Sequence, residues 1–459
     1  MIQLSDSHPK AEICDRSQTI ASRDNSGAGR VQINDAISTL GGNITVKGTS
    51  NGTDTHGILV NSPINSGGGN ITLNGTSVGS GLSAGIFVNE NETIVLFNRD
   101  YQGNIPDNDK TLALSDQLQL LVVTADGKAI GRRVPNTTRA QVVAMASLLR
   151  SRITDPRQPR HRYIPIAEQL DQWLVAPIKR DIQAEGIQNV VYIMDVGLRS
   201  VPMAALYDGR KFLVERYSIG MMPSLGLTNT QYQDIKNSQV LAMGASQFTD
   251  ELPLPAVPVE LSLITPRLWQ GKSYLNQGFT LNNLKVQRRQ KPFGIVHLAA
   301  HARFRPGTRD NTYIRLWNSK LSLGELPQLG WNNPPVELLV LSACRTALGD
   351  RDAEFGFAGL AAQAGVKSVL GSVWNISDEG TLALMTAFYQ HLKQAPMKAQ
   401  ALQQAQLAML KGEVRLEGGE LQTTTGEKLP LPPQLAKLED RDFSHPNYWS
   451  GFTMIGSPW

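Results

Sequence analysis

The chain reads as an α/β protein, a mostly parallel sheet with helices on both faces, preceded by a short β-helix-like repeat region. Three observations predict this. Continuous apolar runs, FGIVHLAAH at 293–301 and ELLVLSAC ending at Cys344, are bounded by polar or Gly/Pro-rich turns, the pattern of inner strands covered on both faces. Helix-forming stretches follow the later runs, as crossover connections require. The first hundred residues are instead rich in Gly and Asn and repeat at a fixed period. A length of 459 residues is too great for one core and implies two or three domains. The expected division is a disordered 1–30, repeats over 31–97, a linker over 98–116 and the α/β domain over 117–459.

The repeat is explicit: GGNITVKGTS at Gly41 recurs as GGNITLNGTS at Gly68, 27 residues on, with HGILVNS and AGIFVNE following the two copies. Short alternating strands separated by Gly/Asn/Ser corners suit stacked β-helix coils. The pattern is similar to filamentous haemagglutinin-type adhesin repeats. About two copies are present, fewer than the three or so that usually bury a continuous core, so the region is a remnant or needs a cover. Its N-x-T triplets read as strand and corner residues before glycosylation sites.

Beyond the linker, LQLLVVTADGKAIGRRV predicts a hairpin, and LPLPAVPVE from Leu252 predicts an exposed loop beside the rim of the sheet. The stretch 355–364 predicts a helix closed by Gly365, VKSVLGSVW another inner strand, and about 379–393 a second helix. GEVRLEGGELQTTTGEKLPLPPQ reads as a long loop before the last strand.

A histidine and a thiol each close an apolar run, His301 and, 43 residues on, Cys344. A thiol is little ionised at neutral pH and needs an adjacent imidazole to take its proton. Reacting groups collect at the carboxyl ends of parallel strands, so two neighbouring strands would bring both residues to one rim. A lone Cys after VLS is more often core than catalyst. The spacing of His297 and His301 is that of helical zinc ligands, but Leu298 stands where the metalloprotease motif carries Glu, and the run favours a strand.

HLAAHARF, LSACRTALGD, FAGLAAQAGVKSVLGSVWNISD and the final NYWSGFTMIGSPW together resemble the CHAT domain, a caspase- and separase-like cysteine peptidase module. The resemblance extends over roughly 117–459 and also takes in YIMDVGLRSVPMAALYDG. It implies a caspase-like sheet, a catalytic dyad of His301 and Cys344, a structural His297 and no metal or organic cofactor. It implies further that the backbone N–H groups of Ala302 and Cys344 hold the oxyanion. Caspase-like enzymes commonly have Gly where Ala302 stands; Ala keeps the donor if the backbone takes the same path. Separase-like enzymes place an Asp in a segment like WNISD to contact a basic side chain preceding the cleaved bond, which makes Asp378 a candidate for that pocket. As an alternative, Asp378 caps the following helix.

Net charge is +4, and no dense Lys/Arg run with interleaved aromatics points to nucleic acid. The basic stretches GRRVPNTTR and RSRITDPRQPRHR read as solvated loops. Two cysteines, Cys14 and Cys344, fit a reducing compartment and give no disulfide framework. The N-terminus lacks the apolar core of a signal peptide and no run is long enough to span a bilayer, so the expectation is a cytoplasmic chain, with secretion of a longer parent left open by the repeats. Expected partners are a protein or peptide substrate and a regulatory protein. The function expected first is a cysteine endopeptidase cleaving after a basic residue. The alternatives are a catalytically silent caspase-like interaction module and an adhesin fragment.

Overall fold

The computed structural model describes residues 117–124, 129–194, 198–222, 231–303, 312–343 and 356–459, together with short strands within the first 97 residues. The chain divides into two compact units, Met1–Thr138 and Arg139–Trp459.

In the first unit, Ile44–Ser50 and Ile71–Ser77 pair in parallel with Ile44 opposite Ile71, so equivalent residues of the two sequence copies face each other. Val31–Ile33 with Ile58–Val60 and Ile37–Ser38 with Ile64–Asn65 pair in the same sense. Gln18–Arg23, in the stretch expected to lack order, is a strand paired with Ile44–Ser50. The expected linker, 98–116, lies outside the described residues. The expected hairpin forms from Gln117–Val123 and Ala129–Thr138, antiparallel with Val123 opposite Ala129, and Thr93–Phe97 pairs with the other edge of its first strand. It groups with Met1–Thr138. The basic stretch from Gly131, read above as a loop, lies in the second hairpin strand, with Arg132 and Arg133 exposed.

The second unit opens with α1 (Arg139–Ile153) and α2 (Ile164–Leu174). Its sheet contains β1 (Asn189–Ile193), β2 (Ser218–Met221), β3 (Val240–Gly244), β4 (Gly271–Leu275), β5 (Ile295–Ala299), β6 (Leu338–Ser342), β7 (Ser368–Ser372) and β8 (Phe452–Gly456). They run in the order β4-β3-β5-β6-β7-β8-β2-β1. Every residue of β3, β5, β6 and β7 is buried, which explains runs that are apolar throughout instead of alternating. Strands β4, β3, β5, β6 and β7 are mutually parallel; the direction reverses once, between β7 and β8, and β8, β2 and β1 are again parallel. The sheet is flanked by α3 (Val257–Ser262), α4 (Leu281–Gln290), α5 (Gly356–Gln363), α6 (Asp378–Leu392) and α7 (Lys398–Leu410). Beyond α5 the chain turns at Gly365, whose φ of 105° suits only glycine.

A further expectation is corrected. The segment read as a long loop after α7 builds a small antiparallel sheet of Arg415–Glu417, Glu420–Gln422, Lys428–Pro430 and Arg441–Asp442. Gly418 and Gly419, both at positive φ, close its first turn, and Leu416, Leu421 and Leu429 bury one face. Strands of two or three residues are too short to show a period in sequence.

Gly244 ends β3, where the chain leaves the sheet toward the rim. A methyl group there would come 2.7 Å from both the Ala299 carbonyl oxygen and Val257 Cγ1. Gly244→Ala is therefore expected to lower the denaturant midpoint by the equivalent of about 1–3 kcal/mol. An unchanged midpoint would show that β3 and β5 can separate at no cost.

Candidate active site

The carboxyl ends of β3, β5, β6 and β7 form one rim. Ala299 stands opposite Ser342 on one side and Gly244 on the other. His301 lies two residues past the end of β5 and Cys344 two past the end of β6 in sequence. Cys344, the turn after it and Cys14 lie outside the described residues. The structure does place what precedes Cys344. The Ala343 carbonyl accepts a hydrogen bond from Ser372 Oγ at 2.8 Å, and Ser342 Oγ donates to Glu260 Oε1 at 2.7 Å.

His301 is half-buried. Its Nε2 lies 2.7 Å from the Leu252 carbonyl oxygen. A carbonyl can only accept, so Nε2 carries the proton and Nδ1 is left as the basic nitrogen. Nδ1 lies 3.7 Å from Glu251 Oε2, and the Phe248 ring is centred 4.8 Å from the imidazole. These groups belong to a strap running from the end of β3 to α3. The strap is anchored by Ala245 N–H to the Ala299 carbonyl at 3.0 Å, Leu254 N–H to the Ser246 carbonyl at 2.9 Å, and an Asp250–Arg315 ion pair at 2.8 Å. Leu252 itself is 80% exposed, so its side chain contributes little and its backbone supplies the contact. The Pro-rich loop expected at the rim is thus present only as far as Ala256; from Val257 the word becomes a helix that buries Val257, Glu260 and Leu261.

His297 is fully buried in β5, with Nδ1 3.2 Å from the Tyr389 hydroxyl. Its Nε2 is 3.1 Å from Glu260 Oε1, an ion-pair distance at an angle short of a hydrogen bond. Both nitrogens face partners other than His301. Among the described residues, no group of three or more His, Cys, Asp or Glu is arranged to hold a metal, and no helix is long and apolar enough to cross a membrane. Ala302 begins the short strand Ala302–Arg303 opposite Ile314. That is extended backbone, which alanine adopts as readily as any residue.

Asp378 is the first residue of α6 and not its cap. The cap is Ser377, whose hydroxyl accepts from Gly380 N–H at 3.3 Å. This leaves the Asp378 carboxylate for another partner, and its Oδ2 accepts the Ala256 N–H at 2.7 Å. Burial pushes its carboxyl up to about 7, with the negative charges of Glu260 and Glu379 adding to the shift and the Ala256 N–H opposing it. The strap therefore touches both candidate groups, through the Leu252 carbonyl on His301 and the Ala256 N–H on Asp378. Sequence reasoning missed Glu251, Glu260 and Ser342. Glu260 closes the quoted word LPLPAVPVE, and its Val257–Glu260 spacing was the one available hint of a helix.

Residues 165–457 match the CHAT domain family. No curated protein matches the chain significantly in sequence. Among solved structures, it is similar to the Arg-specific cysteine proteinase gingipain R, at 12% identity and a TM-score of 0.39, over 68% of this chain and 74% of that one. A complex of Porphyromonas gingivalis RgpB pro- and mature domains gives 12% identity and a TM-score of 0.40, over 70% and 77%. The Saccharomyces cerevisiae separase–securin complex gives 9% identity and a TM-score of 0.47, over 80% of this chain and 30% of that one.

The raised Asp378 carboxyl has a signed consequence for stability. The unfolded chain ionises this group near its ordinary value of 3.8 and the folded chain only near 7, so between the two the unfolded state binds fewer protons. Its contribution to stability should fall as pH rises through that window and level off above it. In Asp378→Asn the denaturation midpoint should lose this component of its pH dependence. An identical pH profile in the variant would show that Asp378 titrates normally.

Proposed function

Since the chain belongs to the CHAT domain family, we propose that it is a cysteine endopeptidase with Cys344 as nucleophile and His301 as base. The observation that carries this reading is the parallel pairing of β5 with β6, Ala299 opposite Ser342, so that both strands leave the sheet on one rim just before His301 and Cys344. The Leu252 carbonyl supports it by orienting the imidazole, which leaves Nδ1 free to take a proton.

In this mechanism His301 Nδ1 takes the thiol proton. The Cys344 sulfur forms a bond to the scissile carbonyl carbon, and the carbonyl electron pair moves onto oxygen. The N–H groups of Ala302 and Cys344 hold that oxyanion. Glu251 faces the imidazolium so formed. When the oxyanion collapses, the C–N bond breaks and the imidazolium gives its proton to the departing amine. A water, deprotonated by His301, then attacks the thioester; the C–S bond breaks and the peptide acid leaves. No step calls for a metal or organic cofactor.

Asp378 is the proposed contact for a basic side chain before the cleaved bond. Its Oδ1 and the second lone pair of Oδ2 suit the planar fork of a guanidinium better than a compact ammonium. The preference should be Arg, then Lys. Because the carboxyl is pushed up to about 7, recognition of Arg should strengthen as pH rises toward and past neutrality.

A peptide library cleaved by the full chain tests the reading. Cleavage should follow Arg, with kcat/KM falling on the acid side of about pH 7. His301→Ala should lower kcat on the order of a hundredfold or more. Asp378→Asn should lower kcat/KM on Arg peptides and flatten the acid limb. A preference for Asp or an apolar residue before the cleaved bond would remove Asp378 from the pocket, and unimpaired cleavage by Cys344→Ala would remove the dyad.

A further inference from the structure

Glu260 is a buried carboxylate that no step above uses. It is 2% exposed on α3. Its Oε1 accepts from Ser342 Oγ at 2.7 Å and lies 3.1 Å from His297 Nε2. Ser342 stands two residues before Cys344 and His297 four before His301. One carboxylate oxygen therefore touches both strands that run up to the two reacting residues.

The groups around it are defined. The Tyr389 hydroxyl of α6 meets His297 Nδ1 at 3.2 Å, and burial together with the Glu260 charge holds the Tyr389 phenol well above its ordinary range, so it stays protonated. A phenol hydroxyl can donate to Nδ1 or accept from it, and Nε2 lies 3.1 Å from Glu260 Oε1 at an angle short of a hydrogen bond. Two further acidic groups stand at the start of α6. Asp378 feels the negative charge of Glu260, and Glu379 is paired with Arg441 at 2.7 Å.

Burying a carboxylate is costly, and an apolar residue of similar size would hold α3 to the sheet as well or better. What the carboxylate adds is one oxygen that accepts from Ser342 on β6 and faces the His297 imidazole on β5. We propose that Glu260 is a positioning residue for the dyad. It ties Ser342 to His297 and so fixes the end of β6 against the end of β5, a role that rests on the reading of His301 and Cys344 as base and nucleophile. The helix that carries Glu260 also begins at the strap whose Leu252 carbonyl orients His301, so one element sets both the strands and the base.

The test uses the full chain and iodoacetamide, a small neutral reagent that needs no substrate pocket. The rate of alkylation at Cys344, mapped by mass spectrometry over a range of pH, is compared in the parent, Glu260→Gln, Glu260→Leu and His301→Ala, alongside thermal unfolding. Glu260→Gln keeps an oxygen for Ser342 and loses the charge facing His297. It should unfold cooperatively near the parent, label Cys344 more slowly and displace the pH profile. Glu260→Leu should fold and label at least about tenfold more slowly. Parent rate and profile in folded Glu260→Leu would overturn the proposal and leave Glu260 a packing residue. If neither variant folds, Ser342→Ala, which removes only the hydroxyl, decides by the same readout, slower labelling supporting the role and the parent rate overturning it. If His301→Ala labels as fast as the parent, the dyad reading fails and this inference with it. If His301→Ala is slow while folded Glu260 variants are not, only the inference fails.

Discussion

The parallel pairing of Ile295–Ala299 with Leu338–Ser342 is the constraint on which the rest of the site depends. Both strands are buried along their whole length, so a slip of one residue would turn the face of every side chain and break two packed layers at once. With Ala299 fixed opposite Ser342, the chain leaves both strands at one level of one rim. Val240–Gly244 pairs with the same strand on its far side, which brings the strap to that rim as well. The sheet thus sets positions before any side chain on the rim makes a contact.

On the rim the strong interactions are those of backbone atoms. The Leu252 carbonyl at 2.7 Å makes a hydrogen bond to His301, whereas Glu251 at 3.7 Å offers an ion pair between groups that water still reaches. The carbonyl therefore fixes the ring and the carboxylate acts on the charge that forms. Below the rim the balance reverses: Glu260, Asp378 and Glu379 crowd negative charge into a buried space. Arg441 neutralises Glu379, Ser342 and His297 hold Glu260, and Asp378, pushed up first by burial and then by these charges, keeps its proton to about pH 7.

Much of the architecture was legible because burial on both faces leaves an unbroken apolar run, and four such strands, β3, β5, β6 and β7, stand side by side in the sheet. The reversal at the last strand was not, since FTMIG reads the same in either direction. The small sheet after α7 escaped because its strands are shorter than a recognisable period. At the site, the motif words single out His301, Cys344 and Asp378, but not what surrounds them. The Leu252 contact is made by a carbonyl oxygen that every residue has, and Leu252 projects its side chain into solvent, so no residue type could announce it. The helix begins at Asp378, so Ser377, one residue earlier, caps it by accepting the Gly380 N–H, and Asp378 is left to accept the Ala256 N–H. Glu260 was hidden by Pro253, Pro255 and Pro258, which marked its segment as a loop although Pro is well tolerated in the first turn of a helix.

The central claim is that one of the two thiols of this chain is a nucleophile activated by His301. The most direct measurement treats the folded full chain with an acyloxymethyl ketone carrying an arginyl side chain, then maps the modified residue by peptide mass. The account predicts a single adduct on Cys344, none on Cys14, and its loss in His301→Ala. Equal modification of Cys14 and Cys344, unaffected by His301→Ala, would contradict it.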